Sequence, residues 1–271
     1  MPTLPALSES TVPDGGLIGP PPAEIIPGGQ YAVRFAQTRN EIEAVQKMRF
    51  EIFNLELGQG LDTSYETGRD EDKFDATCHH LMAVKLGTDK PVGTYRVQTA
   101  EMAATGKGFY STTHFDLSTL PASLLDEAVE MGRACIDIEH RSVKVLQMLW
   151  QGLGLYLNRQ GKRYLFGCSA LRSKDPAKGM RVFNYLVQEG HMHPTFSVLP
   201  HPHLSCMALG NTTQCADTSE VPPLLRAYLR RGAKVCGPPA FDLEFGTIDY
   251  FSVIDPEGLD PNALDYYYYR K

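Results

Sequence analysis

The segment Glu130-Met-Gly-Arg133-Ala-Cys-Ile-Asp137 has the pattern of a strand that carries charged side chains within an apolar run. An unpaired charge is costly to bury, so a strand keeps such residues only where they pair or where a cleft opens beside it. The basic turn His140-Arg141-Ser-Val-Lys144 follows, and apolar residues then recur at helical spacing through 143–160. The stretch therefore predicts a strand, a basic turn and a helix beside a functional cleft.

Outward from this segment, strand and helix patterns alternate along most of the chain. Apolar residues follow strand spacing at 31–36, 80–86, 91–99, 163–168 and 246–254, and helical spacing at 38–57, 177–188 and 223–230. This order predicts an α/β (α+β) fold with a mixed central sheet and helices on both faces. Residues 1–29 are rich in Pro and Gly, which predicts a poorly ordered arm or a strap over the domain. Residues 30–271 are expected to form a single domain with insertions near 100–128 and 191–220.

Composition and charge narrow the class of protein. Six cysteines form no C-x-x-C pair, and no basic segment followed by an apolar run opens the chain, so we expect reduced thiols and a cytoplasmic protein. The net charge of −6 is uneven, with −9 over residues 1–130, +8 over 131–234 and −5 over the remainder. A basic middle predicts a docking face for an anionic partner. No nucleic-acid-binding motif is present, and nucleic acid is not an expected partner.

Other motifs surround the Glu130 segment. They are Arg49-x-x-x-Phe53, Asp72-x-x-Asp75, Val92-Gly-Thr-Tyr-Arg96, Phe74-Asp-Ala-Thr-Cys78-His-His80-Leu, Gly132-Arg-Ala-Cys135, Tyr164-Leu-Phe-Gly-Cys168-Ser169 and Val235-Cys-Gly-Pro-Pro-Ala-Phe-Asp242. In this pattern the chain resembles the ornithine lipid N-acyltransferases. These are GNAT-like, haemolysin-like enzymes related to the acyl-homoserine lactone synthases.

The resemblance implies a GNAT-like acyltransferase fold and an N-acyltransferase activity. A long-chain 3-hydroxyacyl group would pass from acyl carrier protein to the α-amine of ornithine, giving lyso-ornithine lipid. The donor is then the acyl-4′-phosphopantetheine arm of the carrier protein, and no cofactor is expected to be bound. Glycine, lysine or another amine stays open as the acceptor. An acyl-homoserine lactone-type signal synthase and a non-catalytic acyl-binding or haemolysin-like protein are the alternative functions.

Amide formation from a thioester needs a neutral amine and a group that accepts its proton. Glu130 is our candidate, because partial burial raises the pKa of a carboxyl group. Arg133 could orient Glu130 or bind a substrate carboxylate through its two-pronged guanidinium; the alternative is that the two form only a structural ion pair. Tyr185, or Tyr156 in its place, could protonate the departing thiolate, although both also fit core aromatics.

The substrate-binding set comes from the family pattern. Asp72 and Asp75 could grip a cationic amino acid, and their alternative is a solvated acidic loop. Arg49, His80 and Arg96 complete the set.

The binding site for the acyl donor is predicted from the absence of glycines in the turn at 140–144. GNAT acetyltransferases carry glycines here that let backbone N–H groups approach a pyrophosphate. Arg141 and Lys144 stand in their place and could hold the single phosphate of phosphopantetheine. Arg172 and Lys174 could receive the acidic carrier protein, unless they are ordinary exposed basic residues.

Three further expectations concern ligands. The histidines and cysteines of 191–217 fit no standard zinc spacing, so no metal is predicted. An apolar acyl tunnel should lie between the Glu130 strand and the 163–168 strand, with Phe109, Phe115 and Trp150 as walls. Helix 223–231 could give peripheral contact at the inner face of the membrane, or be a buried core helix.

Overall fold

The computed structural model describes residues 19–88 and 90–259. Its strands are β1 (Ile26–Gly28), β2 (Tyr31–Phe35), β3 (His79–Lys85), β4 (Pro91–Thr99), β5 (Phe115–Asp116), β6 (Ala128–Ile136), β7 (Tyr164–Leu171), β8 (Leu199–Pro200), β9 (Lys234–Val235), β10 (Ala240–Asp242) and β11 (Thr247–Ile254). Its helices are α1 (Arg39–Phe50), α2 (Ser64–Thr67), α3 (Ala100–Thr105), α4 (Ala122–Asp126), α5 (Val143–Gln160), α6 (Pro176–Gln188), α7 (Cys206–Gly210) and α8 (Pro223–Leu229). A wider π-helical turn, Glu51–Glu56, continues α1.

The main sheet is mixed, as the sequence predicts. Its strands lie in the order β1-β2-β3-β4-β6-β7-β11-β10, and β9 pairs with β11. Within the described residues, β6 and β7 pair in parallel and the other pairs are antiparallel. A connection between parallel neighbours has to cross over the sheet, and α5 makes that crossing.

Helices cover both faces of this sheet. Along β2, Val33 belongs to the core cluster that includes α5, whereas its neighbour Ala32 belongs to a smaller cluster under α1. Such alternation is the strand period of two. Trp150 and Leu153 of α5 have no exposed surface. A Cβ on Gly152 would lie 2.8 Å from Leu81, so glycine lets α5 approach the sheet closely.

A cleft opens between β6 and β7 because the two strands diverge. Their pairing ends at Glu130 with Phe166, although both strands continue for several residues. Beyond that point β6 carries one residue more than β4, since Thr94 pairs with Cys135 but Arg96 pairs with Gly132. A bulge of this kind bends a strand and re-aims its side chains. The predicted splay is therefore present.

Some details differ from the sequence expectations. Ile26–Gly28 pairs with β2, so this part of 1–29 is a strand rather than a poorly ordered arm, and residues 1–18 lie outside the described ranges. The insertions near 100–128 and 191–220 meet, because β5 pairs with β8. Local spacing gave no sign of this pairing, which joins Phe115 to Pro200.

The structure corrects one apolar prediction and agrees with one of the two interpretations of another. Phe109, Phe115 and Trp150 pack into the core instead of lining the cleft. In α8, Leu225 and Tyr228 are buried, which agrees with the core interpretation of this helix. Within the described ranges, no helix combines the length and apolar character needed to cross a membrane.

Candidate active site

The cleft begins where β6 and β7 separate. Side chains from β4, β6, β7, β10 and β11, together with α8, the π-helical turn after α1, the turn at 110 and the loop after β10, form its walls. They include Phe53, Cys78, Arg96, Gln98, Tyr110, Glu130, Gly132, Arg133, Cys168, Ala170, Leu224, Tyr228, Asp242, Phe245, Thr247 and Asp249.

A buried network of arginines and aspartates supports the β4–β6 wall. Arg49 donates from Nε to Asp70 at 2.7 Å and from both terminal nitrogens to Asp75 at 2.8 and 3.0 Å. Arg96 bridges Asp72 at 2.6 Å and Asp75 at 2.9 Å. Hydrogen bonds to a charged partner are roughly twice as strong as neutral ones, so the network is rigid.

Arg133 completes this network from β6. Its guanidinium donates to Asp72 at 2.6 Å and lies 3.2 Å from Asp70. The residue has a φ of 50°, a left-handed conformation that is uncommon for a non-glycine residue and that marks functional sites. The strained backbone turns the side chain out of the strand register and towards the aspartates.

This arrangement changes the role of the predicted acidic pair. Burial alone would raise the pKa of Asp75, but Arg49 and Arg96 hold it well below its ordinary value. The pKa of Asp72 is lowered in the same way, because the positive charges of Arg96 and Arg133 outweigh the effect of burial. Both carboxylates are committed to arginines and neither lines the cleft. Their position does not support the expectation that they grip a cationic substrate, and their ion pairs with arginines contradict the solvated-loop alternative.

The other members of the predicted substrate set divide into two groups. Arg96 and Arg133 line the cleft, whereas Arg49 and His80 lie behind them. His80 donates to the Asp75 carbonyl at 3.3 Å, and burial lowers its pKa to about 4, so it is neutral near pH 7. Asp70, two residues before the Asp72 motif, was missed by the sequence analysis.

Glu130 is buried at the point where the cleft begins. Its carboxylate accepts backbone N–H bonds from Tyr110 at 2.8 Å and from Ser111 at 2.7 Å. Burial raises its pKa, and these bonds only partly oppose the effect. Within the part of the chain that the structure describes, Glu130 and Arg133 form no ion pair, so the structural-pair alternative is wrong. Glu130 instead fixes the turn that carries Tyr110 against the cleft.

The opposite wall carries a second polar group, which the sequence analysis missed. Asp242 accepts from the Tyr110 hydroxyl at 2.7 Å and lies 3.4 Å from Nε2 of His114. Asp249, on β11, reaches the same space. Burial and the nearby Asp242 raise the pKa of Asp249 to about 7. Asp242 ends one of the motifs in the sequence, but its pairing with Tyr110 and His114 had no local signal, because these residues lie more than a hundred positions from Asp242 along the chain.

The predicted general acids are not brought to the cleft. The hydroxyl of Tyr185 lies 3.1 Å from that of Thr218, outside the cleft lining. The hydroxyl of Tyr156 lies 3.0 Å from Nδ1 of His79 in the core. Each is an aromatic residue with a satisfied hydroxyl, so the assignment of Tyr185 as a catalytic residue is not supported by its position.

The four basic residues predicted for the donor lie in or just after the loops that follow β6 and β7, but none is among the residues that line the cleft, and the amine of Lys144 lies beside Gly29. Because β6 and β7 run in parallel, the loops that follow them leave the same edge of the sheet. Arg141 and Lys144 follow β6, and Arg172 and Lys174 follow β7. Arg141 is already engaged by Glu56 at 2.9 and 3.0 Å, so it also ties this loop to the end of α1.

No metal is predicted from the sequence. Among the described residues, one buried set of side chains could nevertheless offer ligand atoms to a metal ion. Ligand atoms of His114, Asp242 and Asp249 lie within 4.8 Å of one another. However, Asp242 accepts from the Tyr110 hydroxyl through one oxygen and from two backbone N–H groups through the other. Its lone pairs are largely used, which does not suit a cation site.

Comparison with known proteins places this cleft in context. Residues 48–151 match the family described as acetyltransferase (GNAT) domain, and the expected GNAT-like fold is confirmed. The L-ornithine N(alpha)-acyltransferase of Brucella abortus is 31% identical over 250 residues, covering 88% of this chain and 89% of that protein. Its counterpart in Rhodobacter capsulatus is 29% identical over 248 residues, covering 88% and 94%. The solved acyl-homoserine lactone synthase LasI is 13% identical, with a TM-score of 0.48 over 84% of this chain and 91% of that one.

Proposed function

The chain belongs to the L-ornithine N(alpha)-acyltransferase family, and from this premise we propose that it transfers a long-chain acyl group from acyl carrier protein to the α-amine of ornithine. The product would be an N-acylated amino acid lipid. The observation that carries the proposal is a cleft that presents a buried carboxylate, Glu130, on the same strand as the cleft-facing guanidinium of Arg133.

The two arginines of the cleft wall suit the acceptor's carboxylate. Arg96 and Arg133 are held in place by aspartates behind them, so their positions do not depend on the substrate. A guanidinium can bind a carboxylate through two parallel hydrogen bonds. The α-amine is bonded to the carbon that bears this carboxylate, and it would therefore be held near the β6 strand and Glu130.

The amine nitrogen then attacks the thioester carbonyl carbon. A carbon–nitrogen bond forms, the carbon–sulfur bond breaks, and the electron pair of that bond leaves with the phosphopantetheine sulfur. Glu130 accepts the proton that the nitrogen loses, a role favoured by the burial that raises the pKa of Glu130. The leaving thiolate takes up a proton, so the products are an amide and a thiol.

Direct attack fits the thiols of this cleft better than an acyl-enzyme route. Burial raises the pKa of Cys78 to about 12 and that of Cys168 well above its ordinary value. The thiolate is the nucleophilic form of cysteine, so neither side chain is activated at neutral pH.

For the donor, we place the phosphopantetheine arm at the open end of the cleft. Lys144 on one side, and Arg172 and Lys174 on the other, would meet its phosphate and the acidic carrier protein. Charge complementarity of this kind raises association rates and falls with salt, so the KM for the acyl carrier protein should rise as ionic strength increases.

The test is to incubate purified protein with 3-hydroxypalmitoyl-acyl carrier protein and a mixture of free amino acids, and to identify products by mass spectrometry. The expected result is an acyl-ornithine mass together with free carrier-protein thiol. An intact donor with every amine would contradict the proposal. Release of methylthioadenosine from added S-adenosylmethionine would instead support a lactone-type signal synthase.

A further inference from the structure

Among the described residues, one carboxylate in the cleft is buried without an ion pair within 4.0 Å; a ring nitrogen of His114 lies within 4.8 Å of it but is closer, at 3.4 Å, to Asp242. Asp249 lines the cleft and has only 3% of its surface exposed. Its hydrogen bond from the Thr247 hydroxyl is long, at 3.5 Å. Among residues 19–88 and 90–259, Asp249 forms no ion pair with an arginine, lysine or histidine within 4.0 Å. A buried charge is costly unless it is paired, so this side chain lacks a partner that a ligand could supply.

Its neighbour Asp242 differs in this respect. Asp242 accepts from the Tyr110 hydroxyl at 2.7 Å and from the backbone N–H groups of Glu244 and Phe245, both at 2.9 Å. The carboxylate of Asp242 is therefore saturated by the protein. Of the two acids on this wall, Asp249 is the one left available to a ligand.

The strand beside Asp249 also leaves room for a ligand. Its partner across the sheet on β7 is Ala170, an exposed residue of the cleft lining that carries only a methyl group. Residues directly opposite each other on neighbouring strands project on the same face. A larger side chain at position 170 would cover the carboxylate.

The opposite wall presents arginines to the same cleft. Arg96 and Arg133 are positive, whereas Asp249 lines the same cavity as an acid with no ion pair within 4.0 Å among the described residues. An amino acid with a cationic side chain carries a carboxylate at one end and an ammonium group at the other, and its charges match this division.

We infer that Asp249 binds the side-chain ammonium of the acceptor and thereby selects a cationic amino acid; this inference rests on the proposed function. It assigns to β11 the role that the sequence pattern had suggested for Asp72 and Asp75. Burial raises the pKa of Asp249 to about 7, and an ammonium group beside it would stabilise the ionised form.

The test compares ornithine with norvaline, which has the same carbon chain but no side-chain amine. Steady-state kcat and KM are measured for both acceptors with the wild-type enzyme and with Asp249→Asn. Glu244→Gln, in the exposed loop after β10, is the matched control because it also removes one negative charge. Thermal unfolding of each variant reports whether the fold is intact.

We expect Asp249→Asn to lower kcat/KM for ornithine by about 10- to 150-fold, mainly through KM, because a hydrogen bond to a charged group is lost. Its kcat/KM for norvaline should stay within about threefold of the wild-type value, and Glu244→Gln should match the wild type with both acceptors.

Equal losses with ornithine and norvaline, or an unchanged ratio between them, would overturn the inference. So would loss of the wild-type preference for ornithine on adding EDTA, since a metal would then hold the carboxylate. A wild-type enzyme that acylates neither amino acid would point to failure of the proposed function itself, which is a distinct outcome.

Discussion

Arg49 offers the sharpest test of how this site is built. Its side chain has no exposed surface and donates hydrogen bonds to both Asp70 and Asp75. Replacing it with methionine, Arg49→Met, keeps an apolar chain of similar length but leaves two buried carboxylates short of a cation. Removing one member of a buried ion pair costs about 3–5 kcal/mol. We expect a loss of that size in the free energy of unfolding, with a smaller loss for Arg49→Lys, which keeps the charge but not the forked geometry.

The assay is urea unfolding followed by circular dichroism, with slope and midpoint both fitted. Arg39→Met is the matched control, because Arg39 lies on the same helix in an exposed i,i+4 pair with Glu43. Exposed helix pairs contribute about 0.3–0.5 kcal/mol, so the control should scarcely change the unfolding free energy. Adding Asp70→Asn to Arg49→Met should recover part of the loss. A loss below about 1 kcal/mol for Arg49→Met, or one no larger than the control's, would refute the reasoning.

Three further perturbations test the cleft. Glu130→Gln should lower kcat at least about 100-fold in the acyl-transfer assay, and near-normal turnover would exclude Glu130 as the base. The same change should lower the unfolding free energy by about 1–3 kcal/mol, because an amide cannot accept from two backbone N–H groups as a carboxylate does. Gly167→Ala should lower the free energy of unfolding in urea by about 1–3 kcal/mol, since its Cβ would lie 2.2 Å from the Met131 carbonyl oxygen. Gly132→Ala is the control, because a Cβ on Gly132 meets nothing within 4 Å. Equal losses for the two variants would contradict this reasoning. Asp249→Asn should raise the free energy of unfolding, because the pKa of Asp249 in the folded state lies above the unfolded value of about 3.9. Wild-type stability falls as this buried carboxyl ionises, so the difference between variant and wild type should grow by up to about 2 kcal/mol between pH 5.5 and pH 8. A difference that does not depend on pH would argue against the raised pKa.

Local sequence signals were sufficient for much of the fold. Helical spacing predicted the first helix, and the structure shows a full capping box at its start, in which Thr38 and Glu41 satisfy each other's backbone N–H groups. The apolar period of α5 and the Gly161 at its end are also local features. Such signals depend on residues within one or two turns, so they can be recognised without tertiary structure.

The partners of the site residues could not be recognised in the same way. Arg96 and Arg133 were predicted because they belong to motifs, but the acids that hold them come from a loop with no regular period. Arg133 was one possible partner for Glu130, yet the Glu130 carboxylate accepts from the backbone N–H groups at 110–111. The bulge in β6 decides this outcome, because one extra residue changes which side chains share a face.

The two walls of the cleft hold acids in two different environments, and local sequence patterns did not distinguish them. Charge patterning indicated that a cationic substrate needs carboxylates, and Asp72 and Asp75 were the acids in a recognised motif. In the folded protein the neighbouring arginines pair with Asp72 and Asp75, so these two carboxylates hold guanidinium groups in position. Asp249 lies within a run of apolar strand residues, where a charge would be destabilising without a purpose. A charged residue that interrupts a buried strand is therefore the stronger indication of a ligand, whereas acids followed by arginines at short range more often indicate the scaffold of the site.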